Sequence, residues 1–318
     1  MTLEELIGGA LAGDRVALAR VITLIERDAA AARRIDAAMG PRAQQAFTIG
    51  FTGAPGAGKS TLVGALLEQS LADARRVAVL ALDPVSPISR GAILGDRLRM
   101  ERPAADARVF VRSMTAGAHG GGLAVVTPLV IRALDAAGWP WIVVETVGVG
   151  QSELDIAEAA ATTIVVVNPG WGDEVQAVKA GLLEVADIFV INKSDRDGAA
   201  ETRRDLESLA TAAAPDGWRT PILDTVAHRG IGIGALWPAI EAHRDHLTRT
   251  GLLAARRRRF LALAVKGLVG QALQQRVEEL AAGDDFARLL GQADGGDLSL
   301  HAAGDIALQA VLDRPAAP

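Results

Sequence analysis

Residues 53–60 read Gly-Ala-Pro-Gly-Ala-Gly-Lys-Ser and are followed by Thr61. Three glycines in six residues, then a lysine and two hydroxyls, is the spacing of a phosphate cradle. Gly53, Gly56 and Gly58, with Ala54, Pro55 and Ala57 between them, let backbone N–H groups turn inward onto a β-phosphate, and the helix that opens near Lys59 adds its partial positive charge. In such a loop Lys59 reaches the β- and γ-oxygens and Ser60 offers a hydroxyl to Mg²⁺. A glycine-rich strand-to-helix turn with an unrelated lysine is the bland alternative. All the fixed positions occur together here, after the apolar run Phe47–Thr52, which favours the phosphate reading.

Three further stretches have the residues to complete a nucleotide site. Asn192-Lys193-Ser194-Asp195 follows the apolar run Ile188–Ile191, at what would be the carboxyl edge of the same sheet. The string resembles the N-K-x-D signature of GTPases. A carboxylate on Asp195 accepts from both the ring N–H and the exocyclic amine of guanine, whereas adenine presents the wrong pattern. Alone the string is an ordinary polar turn; with a P-loop upstream it favours GTP over ATP. The segment Thr225-Val226-Ala227, at the end of the next strand, is placed to offer backbone contacts to the guanine oxygen. Between these motifs, Trp141-Ile142-Val143-Val144-Glu145-Thr146-Val147-Gly148 is an apolar strand that delivers a carboxylate, Glu145, and then a glycine, Gly148.

The elements that must position these residues follow from periodicity. Short β-rich runs at Phe47–Thr52, Val77–Leu82, Arg108–Val111, Trp141–Val144, Thr163–Val167, Ile188–Ile191 and Pro221–Asp224 alternate with helical sequence. That alternation predicts an α/β fold whose mostly parallel sheet is covered on both faces, and with the phosphate loop at 53–60 the expected architecture is the three-layer P-loop NTPase fold. Leu18, Val21, Ile22 and Ile25 recur at helical spacing within 14–39, ended by Gly40-Pro41. Beyond about His246 the basic run Arg256–Arg259 leads into helix-compatible sequence through Ala282. The expected organisation is an N-terminal helical extension over 1–42, a P-loop GTPase domain over 43–250 and a helical arm over 251–318.

Composition narrows the function. The 318 residues carry 38 acidic against 33 Lys and Arg side chains and no cysteine. With no basic stripe on a reading element, nucleic acid is not an expected partner. The absence of cysteine removes disulfides and thiolate metal ligands and fits a reducing cytosol. The start lacks the basic and apolar regions of a signal peptide, and no apolar run approaches the roughly 18 residues of a membrane span, so no membrane partner is expected. His243 and His246, three apart beside Arg244 and Asp245, read as a solvated helix face rather than a metal site.

Most small GTPases carry Asp where this chain has Glu145, and that departure narrows the comparison. "GAILGDRLRM" (91–100), "ETVGVGQSE" (145–153), "NPGWGDEVQAVKAGLLEVAD" (168–187), "NKSDRDGA" (192–199) and "TVAHRGIGI" (225–233) resemble the MeaB/ArgK family of P-loop GTPases, over most of residues 14–260. The resemblance implies a GTPase that converts GTP to GDP and phosphate and serves as chaperone to an adenosylcobalamin-dependent acyl-CoA mutase, in particular methylmalonyl-CoA mutase. It implies that Asp83, Asp96 and Glu145 join Ser60 around Mg²⁺, that 148–151 form the second switch, and that Lys179, within a further segment over 170–179, makes a nucleotide-linked contact. It also implies a homodimer held by the C-terminal helices, in the cytoplasm. Two strings depart from the family pattern: Asp83-Pro84-Val85-Ser86 stands where a serine pair is usual, and 116–123 lacks an arginine. Two other readings stay open, a protein kinase or ATPase linked to amino-acid transport and a nickel metallocentre GTPase.

Overall fold

A computed structural model of the chain describes residues 1–43, 45–84, 101–116, 122–146, 159–170, 185–210 and 216–313. Seven strands form one parallel sheet: β1 (Phe47–Thr52), β2 (Val77–Pro84), β3 (Val109–Ala116), β4 (Trp141–Thr146), β5 (Thr162–Val167), β6 (Ile188–Asn192) and β7 (Ile222–Thr225), in the order β3-β2-β4-β1-β5-β6-β7. β4, β5 and β6 are buried at every residue, as strands covered on both faces must be. All seven sequence-expected strands are present. β3 is displaced toward its carboxyl end, because it pairs with β2 along its full length, Val77 to Val109 through Pro84 to Ala116.

Side-chain alternation sorts the core into layers. Ile142 and Val144 of β4, with Leu80 of β2, pack under the N-terminal helices and α6 (Gly122–Ala136). Ile49 and Phe51 of β1, with Val143 and Val166, pack against α4 (Lys59–Ala72) and α8 (Leu236–Arg249). Near the β7 edge, Val165, Phe189 and Ile191 meet Leu206 of α7 (Ala199–Ala210).

The sequence pattern over 14–39 predicts one continuous helical stretch; the structure divides it and adds a helix before it. α1 (Leu3–Leu11) opens with a capping box between Thr2 and Glu5. α2 (Arg15–Arg27) is capped by Asp14 and stops at Asp28, whose carboxylate accepts from the N–H groups of Ala30 and Ala31 and starts α3 (Ala29–Met39). An aspartate satisfies orphan N–H groups better at a cap than within a helix, so the chain breaks there. After α5 (Glu101–Ala104), the remaining helices are α9 (Leu252–Ala281), α10 (Asp284–Asp294) and α11 (Leu300–Asp313). The chain divides into two compact units, Met1–Ala264 and Val265–Pro318. In the second unit the end of α9 carries Val265, Val269, Leu273 and Val277 at a spacing of four, all exposed.

His243 and His246 do not lie on a solvated face. Both are buried, His243 completely, because α8 lays that side against the amino ends of β5 and β6. His243 Nδ1 is 2.8 Å from Thr162 Oγ1, and its Nε2 lies 3.3 Å from the Asp187 carboxylate. Trp218 packs beside both imidazoles, with ring centroids at 4.7 and 5.2 Å. Asp187 also takes the Arg256 guanidinium through two bonds of 2.6 and 2.7 Å and accepts the Thr163 N–H at 2.8 Å. Burial lowers the His243 pKa from 6.5 to about 4; the Asp187 charge works against that shift, while Arg256 and His246 add to it.

This makes stability pH-dependent. The unfolded chain takes up a proton near pH 6.5 that the folded chain refuses until about 4, so stability present above pH 6.5 is lost as pH falls toward 4. Denaturant titrations should record a loss of about 3 kcal/mol from this residue across that window. The His243→Asn variant should show a flatter profile; an unchanged slope would mean that His243 does not carry it.

Candidate functional site

Parallel pairing brings the motifs to one edge. β1 lies between β4 and β5, with Phe51 opposite both Glu145 and Ile164 and Thr52 opposite Val165. β6 and β7 extend the row, with Asn192 opposite Thr225. The loop 53–58, the end of β4, the Asn192–Asp195 turn and Val226-Ala227 therefore all leave the sheet at its carboxyl edge, where ligands of open α/β sheets bind.

The loop has the backbone its glycines predict. Gly53 sits at φ 135°, where a Cβ would strike the Val166 carbonyl oxygen, and Gly58 at φ 92°, where one would strike the Asn192 side-chain amide. Neither position admits another residue without displacing a neighbour. Gly58 also leads directly into α4, whose first two residues, Lys59 and Ser60, are buried. The Lys59 ammonium donates to the carbonyl oxygens of Gly53 at 2.7 Å and Ala54 at 3.1 Å. Ser60 Oγ donates to Glu145 Oε1 at 2.6 Å. Two hard oxygen donors thus meet at the helix start beside the loop, a set that suits Mg²⁺. Asp83 is the last residue but one of β2, with its side chain outside the described residues; Asp96, Gly148 and Lys179 also lie outside them.

Asn192 does something its spacing alone does not reveal. Its buried side chain donates from Nδ2 to the Ala57 carbonyl at 2.9 Å, and its Oδ1 accepts from Thr225 Oγ1 at 3.2 Å and the Ala227 N–H at 3.1 Å. One amide ties the phosphate loop to the turn after β7. Lys193, at φ 59°, donates to the Gly56 carbonyl at 2.6 Å, a second tie across the same gap. Ser194 closes the turn through its N–H and hydroxyl, both 3.1 Å from the Thr225 carbonyl oxygen. Asp195 is left exposed beyond these ties. Thr225 was missed by the sequence reading as a side-chain participant; its place directly after an apolar strand was the available signal.

The comparisons with known proteins agree with this geometry. The family model described as methylmalonyl Co-A mutase-associated GTPase MeaB matches residues 18–282. The chain belongs to the MeaB family of GTPases. A protein of Pyrococcus abyssi described as a GTPase is 42% identical over 315 residues, 98% of this chain and 97% of that one. GTPase ArgK of Escherichia coli K12 is 36% identical over 301 residues, 92% and 90% of the two chains. A crystal structure of a LAO/AO transport system kinase superposes with a TM-score of 0.69 at 28% identity and covers 98% of each chain. Like its MeaB relatives, then, the chain binds guanine nucleotide and hydrolyses GTP, and its fold is that of P-loop nucleotide hydrolases. Among the described residues, no helix is long and apolar enough to cross a membrane.

The Asn192 ties define a test. Asn192→Ala removes three hydrogen bonds around buried groups and should cost about 1–3 kcal/mol of stability together with weakened GDP binding. Asn192→Asp, though isosteric, sets a carboxylate against the Ala57 carbonyl and should be no better than alanine. Denaturation midpoints and GDP titrations read both; wild-type behaviour of Asn192→Asp would show that the Nδ2 bond is unimportant.

Proposed function

We propose that this GTPase is a nucleotide-operated chaperone of an adenosylcobalamin-dependent acyl-CoA mutase, methylmalonyl-CoA mutase in particular, acting in the cytoplasm. The observation that carries this reading is the match over residues 18–282 to a family described as mutase-associated, on a chain whose phosphate loop and Asn192–Asp195 turn share one sheet edge. The nucleotide enters along that edge. Lys59 exchanges the Gly53 and Ala54 carbonyl oxygens for β- and γ-phosphate oxygens, at little desolvation cost because the ammonium is already buried. The N–H groups of 53–61 receive the phosphates, and Asp195 accepts from the guanine ring and amine, with Val226 and Ala227 beside the guanine oxygen. Ser60 and Glu145, joined by the resemblance-derived Asp83 and Asp96, would hold Mg²⁺, which supplies charge neutralisation on the transferring phosphoryl group. Lys179 is proposed as a nucleotide-linked contact, and Gly148 as part of the second switch. Hydrolysis then changes which loops are held by the γ-phosphate, the change a client enzyme would read.

The purified protein should turn over GTP slowly alone, on the order of 10⁻⁴ to 10⁻² per second, and faster with its client. Lys59→Ala should abolish turnover. Asp195→Asn should weaken GTP by a hundredfold or more, because an amide N–H then faces a guanine N–H, and should gain xanthosine triphosphate, whose C2 carbonyl accepts from that amide. If no cobalamin-dependent mutase changes the rate, the client assignment falls; if Asp195→Asn leaves GTP use intact, the proposed guanine contact falls. The name of the solved relative, a transport-system kinase, gives a second reading, which transfer of labelled phosphate onto protein rather than into solution would favour.

The proposal includes a homodimer. Val265, Val269, Leu273 and Val277 make a continuous exposed apolar ridge, a surface that a monomer seldom leaves in water and that a second copy would cover. Sedimentation should give a dimer for the wild type and a monomer for Val269→Glu/Leu273→Glu. A monomeric wild type sinks the dimer without touching the catalytic reading.

A further inference from the structure

The amino edge of the sheet, opposite the phosphate loop, carries two adjoining hollows that GTP hydrolysis does not use. The first, about 410 Å³, is apolar for the most part: Ile131, Leu253, Phe260 and a run of alanines at 159–161 line it. The second, about 520 Å³, is lined by Arg42, Arg75, Arg76 and the edges of Trp139 and Trp141. Ala46 and Asp135 border both. Each volume lies in the range of small-molecule sites, roughly 300–1,000 Å³.

Their chemistries differ in a way that selects a ligand. Arg75 is engaged by Glu241 at 2.7 Å. Arg76 lies over the Trp139 ring at 4.8 Å, and among the described residues neither Arg42 nor Arg76 has a carboxylate partner. The acidic group nearby, Asp135, is turned to the chain itself and accepts from the N–H groups of Ala46 at 2.9 Å and Gln45 at 3.2 Å. Guanidinia without carboxylate partners beside aromatic rings favour a phosphate or carboxylate head. The neighbouring hollow favours an apolar chain or ring. Of the three arginines that line it, Arg256 is committed to Asp187 and Arg132 to Asp36, while the charge of Arg257 acts on the bordering Asp135 carboxylate.

We infer that these hollows form a second binding site, distinct from the nucleotide edge, for an amphiphilic organic anion. Its phosphate or carboxylate head lies against Arg42 and Arg76, and its apolar part passes Ala46 into the pocket under Phe260. An inorganic anion fills half the site and a neutral hydrocarbon the other half, so neither binds well alone.

Calorimetry on the full-length protein with octyl phosphate, butyl phosphate, octanoate and inorganic phosphate tests this. Octyl phosphate or octanoate should bind, and affinity from butyl to octyl phosphate should rise about threefold to fourfold per methylene, with inorganic phosphate at least a hundredfold weaker than octyl phosphate. Which of the two octyl heads binds tighter names the natural head group. Arg42→Glu/Arg76→Glu, both on the surface, should weaken octyl phosphate at least tenfold while GTP turnover and thermal unfolding stay as in the wild type. Ala43→Phe, which fills the apolar hollow, should remove the dependence on chain length. The site is overturned if octyl phosphate binds no tighter than inorganic phosphate. It is equally overturned if both variants bind octyl phosphate as the wild type does, which would place the chain on an apolar surface elsewhere. Neither result bears on GTP hydrolysis or on the client enzyme.

Discussion

Parallel pairing on both sides of β1 is the constraint on which the rest depends. With β4 on one side and β5 on the other, β1 has no free edge, its residues are almost all buried, and its continuation can only emerge at the carboxyl end. Parallel neighbours emerge there too. A single register, Phe51 beside Glu145, fixes how far the phosphate loop stands from the β4 carboxylate, and the Ser60–Glu145 hydrogen bond follows from it. Moving β4 by one residue would turn Glu145 to the other face of the sheet and bury its charge among α6 and the N-terminal helices.

That constraint leaves charged and polar groups in places where water cannot serve them, and the site answers each with a protein partner. Lys59 is a buried cation that is tolerable because two loop carbonyls face it. Asn192 is a buried amide that uses both its donor and its acceptor on neighbouring loops. Groups satisfied in this way hold the loop in shape before phosphate arrives, so less conformational entropy is lost on binding. The same bonds explain why Gly58 must lack a Cβ: the side chain that secures the loop occupies the space a Cβ would need.

How far the sequence reveals this depends on whether a feature is local. The seven strands were legible because each is a short apolar run, several of them closed by Gly, Asp or Asn, and the phosphate loop because its glycines have a local conformational cause. The break at Asp28 was not, since the apolar periodicity of α2 and α3 runs on across it and only the cap geometry distinguishes them. In the C-terminal arm, Gly283 and Gly295 stand at the two ends of α10. The ties from Asn192 and Lys193 to residues 56–57 span more than 130 positions. No spacing rule addresses a contact of that kind.

His243 is the sharpest instance. Its neighbours Arg244 and Asp245 are charged, the first half-buried and the second exposed, so local composition argues for water, yet helical geometry turns positions 243 and 246 to the opposite side. What they meet there is a partner set from four separate segments: Thr162, Asp187, Trp218 and Arg256. A partly buried ion pair such as Asp187–Arg256 is weak evidence for net stability, because desolvation costs stand against one attraction. It is a specific contact all the same. Of the four successive arginines at 256–259, Arg256 has a buried carboxylate within reach, and that pairing fixes the rotation of α9 about its axis where the helix begins. Phe260, one helical turn further on, faces the same side and so becomes the roof of the apolar hollow at the amino edge. The register that builds the nucleotide edge at one end of the sheet thus has a counterpart at the other, set by one guanidinium rather than by backbone pairing.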